Sequence, residues 1–485
     1  MVEDCLFLAP RQAYATAKLR QRVPLTEAVS GLQVCYLLAD PSELSDIPEN
    51  LVPLPRDSAA LIDFLARTRL RLPVAVMWPE DMPAEQQEAP RQQLSALINA
   101  AQARRQELAS EVAAGYAQRR AHPRPANERL RVMAWVSRAT TVMQWCARSL
   151  LSAFADLGHE VELVIEANEM EALEELHRLQ AAEKFDPHLL ININHPNNQS
   201  LPSDLVNVVW WQDPPELLLS DQVAWRERDI VYTVADYFAP ALVATGLRRE
   251  RISVQPFCVD PKVFYPSGAR QNKVVFVGTG SSLIGQTVPE QKDRRTPEAD
   301  LVLALYAILE AGKLLSGAEV AAIGASYGLS ALRSICDLYY SVLRDGIVRW
   351  LCQAATTAGI DVEVYGRNWE RDPMVTRFCR GELPHGSVAN VYRSAKYALV
   401  LHPFSVNSQR LGEVGACGCI PLIYDCRRDA DPPYWEEQAL YFHSQVGLLE
   451  CLRSERTTTP EKFANFFEYS RFARRILEDA APLLR

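Results

Sequence analysis

The chain has 485 residues, enough for two or three domains with substantial cores, and its 48% hydrophobic and 23% charged content is that of an ordinary globular enzyme. A formal net charge of −9 argues against a surface built to grip nucleic-acid backbones. No run of about 18 apolar residues is present to span a bilayer, and the acidic start MVEDCLFLAPRQ does not fit a signal peptide. The 11 cysteines are scattered without a CxxC pair, which points to reduced, buried thiols and a cytoplasmic protein. Cys417 and Cys419 stand close together, but no further Cys or His lies at ligand spacing, so small buried side chains are the better reading than a metal pair.

Residues 1–128 read as an N-terminal accessory α/β region: short strands at 31–39 and 72–79, a helix at 58–70, and a long helix from Pro83 to about Arg120. The proline-bearing segment 119–129 reads as a linker. From Leu130 apolar strands (130–137, 159–166, 188–195, 206–213, 229–235 and 251–256) alternate with helical patterns at 142–157, 169–184 and 236–246. That alternation predicts a parallel, doubly wound sheet. A proline-punctuated connector (256–266) leads to a second such unit, opening at 273. Residues 299–358 have helical composition far beyond one crossover and predict an insertion of two or three helices. Strands at 361–366, 397–401, 420–424 and 439–443 follow, then one long amphipathic helix over 460–484. The expected division is 1–128, 129–257, 258–459 and a C-terminal helix, 460–485, that packs back on the first of the two units.

The densest chemistry lies in YALVLHPFSVNSQRLGEVGACGCIPLIYD, 397–425. A buried strand stops at His402-Pro403; Ser405, Asn407 and Ser408 then crowd the start of a helix, and Arg410 and Glu413 share one face of it. Hydroxyls and an arginine at a helix N-terminus, at the carboxyl end of a parallel strand, can hold a diphosphate, with Glu413 accepting from sugar or ribose hydroxyls. The same residues are equally read as a capped helix with an Arg410–Glu413 salt bridge.

Three segments in order carry a resemblance: SVQPFCVDPKVFYP (253–266), VYGRNW (364–369) and LPHGSVANVYRSAKYALVLHPFSVNSQRLGEVGACGCIPLIYD (383–425). Together they resemble the two-domain GT-B glycosyltransferases, most of all the bacterial group-1-like transferases related to the spore-maturation CgeB proteins. The resemblance runs from about 130 to 482 and is absent over 1–128. It implies two Rossmann-like domains facing across a cleft, and metal-independent transfer of a sugar from a nucleotide-sugar donor to a hydroxyl acceptor, with no cofactor. Glu413 would bind the ribose, while Ser405, Asn407, Ser408 and Arg410 would surround the diphosphate or sugar. Tyr365 and Gly366 would flank the base. Two departures stand out: Ser405 occupies the position eight before Glu413 where many relatives keep a second glutamate, and GTGSSLIG (278–285) replaces the usual Lys-Gly.

The loop at Gly278, Thr279, Gly280 and Ser281 is either a phosphate-approaching backbone or a plain glycine turn. His385 can touch sugar or phosphate, or be a loop histidine. On the acceptor side, His195 and Asp213 end strands and are the candidate general bases; Trp210 and Trp211 can stack on a sugar face, and Ser137, Arg138 and Thr140 either contact substrate or cap the helix that follows. Candidate acceptors are a protein such as flagellin, a glycan or a small metabolite, and residues 1–128 are free to recognise a protein or form a homo-oligomer. The alternatives to transfer are a GT-B protein that binds a nucleotide sugar without turnover, and a nucleotide-sugar epimerase.

Overall fold

The computed structural model describes residues 5–7, 35–38, 51–55, 57–72, 75–77, 84–120 and, from 129 to 484, all but 139, 169–170, 220–222, 282, 284–295, 407, 428–436, 456–457, 459 and 461–467. The protein is α/β, with three sheets among the described residues, and every strand pair with a defined register is parallel. By contact density it forms two compact units: Met1–Val209 with Ala224–Ile230 and Glu478–Arg485, and Trp210–Val223 with Val231–Leu477.

The first sheet has the order β3-β2-β1-β4, from β1 (Cys5–Phe7), β2 (Cys35–Leu38), β3 (Leu51–Leu54) and β4 (Ala75–Met77). Two helices follow its strands, α1 (Ser58–Arg67) and the 37-residue α2 (Ala84–Arg120). Asp57 caps α1 by accepting from the Ala60 amide at 2.8 Å. At its other end the buried Arg105 of α2 donates to the carbonyls of Leu65, Ala66 and Thr68, a cation at the negative end of a helix. The buried Arg120 closes α2 by binding Asp204, Asp186 and the Pro187 carbonyl.

The second sheet has the order β10-β9-β8-β7-β5-β6, built from β5 (Arg131–Trp135), β6 (Glu160–Val164), β7 (Leu189–Ile193), β8 (Val206–Trp211), β9 (Asp229–Thr233) and β10 (Ile252–Val254). Every residue of β7 and β8 is buried, as expected of strands covered on both faces. Helix α3 (Thr141–Asp156) ends at Gly158, whose φ of +89° suits the glycine. The helix predicted over 169–184 starts only at Glu175 (α4, Glu175–Phe185). Before it, Glu166 and Glu171 accept from the Leu173 and Ala167 amides and take up donors that a helix would use. The helix predicted over 236–246 is instead a 3-10 turn, Asp236–Phe238, and a short α5 (Ala239–Ala244), because Pro240 cannot donate to a preceding turn.

The third sheet, order β12-β11-β13-β14-β15, contains β11 (Gln271–Val277), β12 (Asp361–Tyr365), β13 (Ala395–Val400), β14 (Ile420–Tyr424) and β15 (Leu440–Phe442). Between β11 and β12 stand α6 (Pro297–Glu310), α7 (Gly317–Ser326) and α8 (Leu332–Ala358), with a capping box of Ser316 and Glu319 opening α7. Helices α9 (Val388–Ser394), α10 (Gln409–Ala416) and α11 (Gln445–Arg453) complete this layer. Leu301, Leu305, Val342 and Leu351 of the inserted helices join Val274, Leu399 and Leu422 of the strands in one core. The last helix, α12, is described over Tyr469–Ala480; residues 461–467 of the predicted longer helix lie outside the described residues. Its Phe472 meets the rings of Trp210 and Tyr232 edge-on, and Arg475 donates to the Val254 carbonyl.

In the third sheet the strand order reverses between β11 and β13. Ligands of open parallel sheets bind outside the carboxyl ends of the strands at such a point. The equivalent reversal in the second sheet lies between β5 and β7.

Candidate active site

At the reversal point of the third sheet, β11 runs into Gly278-Thr279-Gly280-Ser281 and β13 into Leu401-His402-Pro403. The glycine loop is pinned from two sides. The Gly278 amide donates to Tyr365 O and the Gly280 amide to Arg367 O, while Trp369 Nε1 and Asn368 Nδ2 donate to the Gly278 and Gly280 carbonyls. A Cβ on Gly366 would lie 2.1 Å from Gly278 O, and its φ is +129°, so only glycine fits there. The fully buried Asp345 of α8 takes the Ser281 amide at 3.1 Å, the Ser281 hydroxyl at 2.6 Å and the Leu283 amide at 3.0 Å. An internal carboxylate thus occupies the Ser281 and Leu283 amides. Gly278 serves the close packing of the loop, and Thr279 contributes its carbonyl to Arg344.

That carbonyl accepts from Arg344 Nη1 at 2.7 Å. The guanidinium lies over the Tyr340 ring, 4.1 Å from its centroid, and the Tyr340 ring lies against His402 at 5.9 Å. Arg344 therefore bridges the ends of β11 and β13. His402 Nδ1 accepts from the Phe404 and Ser405 amides, and burial, helped by the Arg344 charge, pushes its pKa down to about 4. A neutral imidazole shapes the loop that leads to α10.

Ser408 caps α10, its hydroxyl accepting from the Leu411 amide at 3.3 Å. The remaining first-turn amides have no partner within the helix. Arg410 donates to Tyr392 Oη at 3.0 Å and lies 3.5 Å from Glu413, which also accepts from Gln409 at 2.9 Å. Burial opposes the Arg410 charge, but Tyr392 and Glu413 overcome it and raise its pKa, with Tyr340 adding to the effect. Glu413 is 6% exposed; burial raises its pKa while Arg410 and Gln409 pull the other way. The salt bridge and the cap are both present, and they hold a half-exposed cation and a buried carboxylate one turn apart. Ser405 lies in the loop before the cap, Asn407 lies outside the described residues, and His385 opens a 3-10 turn, His385–Ser387. Tyr365 donates to Glu363, which pairs with Lys273; burial and that bond push the phenol up to about 12. Cys417 and Cys419 are fully buried, and among the described residues no three His, Cys, Asp or Glu side chains are grouped to hold a metal.

At the reversal point of the second sheet, Glu166 accepts from the Ser137 hydroxyl and the Arg138 amide, and the Arg138 guanidinium donates to the Glu166 and Ala167 carbonyls. Thr140 stands at the N-cap of α3 but turns its hydroxyl to Ser137 O. His195 follows Asn194, a non-glycine residue at φ +61°. Its ring is solvent-exposed, yet crowding at the strand end, and then Arg178, lower its pKa and favour the neutral form. Asp213, after β8, is exposed. Trp210 and Trp211 are fully buried, Trp210 donating to Gln255 O at 3.0 Å, so neither offers a face to a sugar. Their place in the unbroken apolar run VNVVWW already marks a strand buried on both faces.

Sequence reasoning does not single out Arg344, His402 or Asp345 as site residues. The available signals are a Tyr340–Arg344 pair at i, i+4 and an aspartate within an otherwise apolar helical stripe.

A comparison with curated proteins finds no match. Among solved structures the chain is similar to the sucrose-phosphate synthase of Thermosynechococcus elongatus at 12% identity (TM-score 0.45, 73% of this chain and 99% of that one). It is also similar to Anabaena HepE in complex with UDP at 9% identity (0.39, 73% and 100%) and to the catalytic domain of starch synthase IV from Arabidopsis thaliana, bound to ADP and acarbose, at 10% (0.40, 74% and 100%). Residues 344–476, the segment that carries Arg344, Tyr392, His402, Ser408, Arg410 and Glu413, match the family described as Glycosyl transferase-like.

Proposed function

We propose that the protein is a glycosyltransferase that moves a sugar from a nucleotide-sugar donor to a hydroxyl acceptor without a metal. The observation that carries this is the pairing of Arg410 with the buried Glu413 behind the Ser408-capped N-terminus of α10, at the strand-order reversal and inside the family-matched segment. The acceptor oxygen attacks the anomeric carbon, the bond to the diphosphate breaks, and the nucleoside diphosphate leaves with the electron pair. Its charge is met by the α10 N-terminus, Arg410 and Arg344, and Glu413 accepts from the ribose hydroxyls. The acceptor proton passes to a base, His195 or Asp213; the neutral state of His195 supports that role. The kinship to CgeB-like transferases is a further part of this reading, supported by the ordered motifs alone.

The test is thermal-shift screening with UDP-, GDP-, dTDP- and CMP-sugars, followed by turnover in EDTA. One nucleotide should stabilise the protein, and Glu413→Ala should weaken its binding about tenfold or more through lost hydrogen bonds to the ligand. Unchanged affinity in Glu413→Ala would remove the site assignment. Binding without product across an acceptor panel would replace transfer by a binding role, the reading that Ser405, in place of a second glutamate, keeps in view.

A further inference from the structure

Helix α7, the start of α8 and the loop after β13 enclose, with the turns after β8 and β9, a cavity of about 400 Å³. Its wall is mainly apolar. Ala318 and Ala321 present one face of α7, Leu332 opens α8, and Phe404 and Tyr237 supply aromatic rings. Tyr237 and Leu332 are 37% and 38% exposed, large apolar side chains that the fold leaves in contact with water at this place. Glu216 is the carboxylate on the wall. The volume is in the range of small-molecule sites, roughly 300–1,000 Å³, and a wall that is apolar apart from Glu216, Tyr237, Ser316 and two cysteines favours an apolar group over a nucleotide. Phe404 immediately precedes Ser405, so the cavity is continuous in the chain with the loop that reaches Ser408 and Arg410.

We infer that this cavity seats the apolar part of a small acceptor alcohol, an aryl or short alkyl group, with the hydroxyl at the polar edge that Glu216 marks. The word acceptor rests on the transferase reading; the apolar site itself does not. The walls supply affinity by excluding water, and the charged edge keeps the hydroxyl end of the molecule out of the apolar floor. The inserted helices α7 and α8 thereby build the wall that selects the acceptor.

The test uses the full chain and three probes, 2-naphthol, 4-ethylphenol and 1-octanol, with glycerol as the polar control. Binding is read by calorimetry in wild type, in Ala321→Phe, and in Ala318→Trp, a second filling variant at an exposed position that folding tolerates. At least one apolar alcohol should bind saturably, tenfold or more tighter than in either folded variant, while nucleotide-induced thermal shifts stay as in wild type. Absence of saturable binding by all three probes overturns the inference, and so does equal binding by wild type and the folded variants. Loss of naphthol binding in the variants of a protein that binds no nucleotide sugar would uphold the cavity and sink the transferase reading. Nucleotide-sugar turnover with probe binding indifferent to both substitutions would do the reverse.

Discussion

Replacing Arg344 by Ala should weaken nucleoside diphosphate binding by about 10- to 100-fold at modest cost to folding. The guanidinium spends one donor on Thr279 O at 2.7 Å and stacks on Tyr340 at 4.1 Å. Among the described residues no other hydrogen bond of its fork is present. A hydrogen bond between charged groups is worth about 1.5–3 kcal/mol, and each 1.4 kcal/mol is roughly tenfold in affinity. On the folding side, an exposed carbonyl bond and a cation–π contact contribute on the order of 1–2 kcal/mol together. Calorimetry with the nucleoside diphosphate found by screening separates the two effects when paired with urea unfolding. Arg344→Lys, which keeps the charge and loses the fork, should fall between. The loss in Arg344→Ala should shrink at high salt, because a half-buried cation that solvent still reaches is screened. A second readout is internal: without the Arg344 charge, the His402 pKa should move up from about 4, visible in an NMR titration. Affinity within twofold of wild type in a folded Arg344→Ala protein would refute the assignment.

Gly366→Ala should destabilise by about 3 kcal/mol or more, since its Cβ would press on Gly278 O at 2.1 Å in a backbone conformation of φ +129°. A loss under roughly 1 kcal/mol in urea unfolding would contradict the rigid loop described above. Stability should also fall with acid in the window set by His402, whose ordinary pKa of 6.5 drops to about 4 on folding. Between those values the unfolded chain binds the extra proton, so the contribution is present above pH 6.5 and is lost as pH falls towards 4, by roughly 2–3 kcal/mol. His402→Asn keeps an acceptor for the Phe404 and Ser405 amides and should flatten the slope. It should not abolish it, because His159, His177 and His195 are lowered by burial in the same direction. An identical pH slope in His402→Asn would count against the neutral imidazole.

What is legible in the sequence follows burial pattern and local spacing. The strands from Leu130 onward announce themselves as unbroken apolar runs because both faces of a parallel sheet are covered. Strands β1 and β3, three and four residues long, have no such run and escape sequence reasoning. The Ser408 cap and the Arg410–Glu413 pair are readable because they interact within one helix, where three residues of separation fixes proximity. Arg410's bond to Tyr392 and Arg344's to Thr279 span 18 and 65 positions, and only the folded sheet order brings them together. Trp210 and Trp211 mislead for the opposite reason: their aromatic chemistry suggests a sugar platform, whereas their position in a fully buried strand decides the matter.

The missing Lys-Gly after β11 has a structural counterpart on α8. Asp345 and Arg344 are adjacent in sequence, and both reach the same loop, the carboxylate to the Ser281 and Leu283 amides and the guanidinium to the Thr279 carbonyl. A buried carboxylate on those amides opposes an anion there and satisfies two of the loop's donors. The cation next to it restores the balance, at the ends of β11 and β13 where the sheet order reverses. On the proposed transferase reading, an inserted helix that brings both charges to one loop places the anion's partners on α8 and α10. On that reading the donor-side cation lies 65 residues beyond Thr279, whose carbonyl it holds.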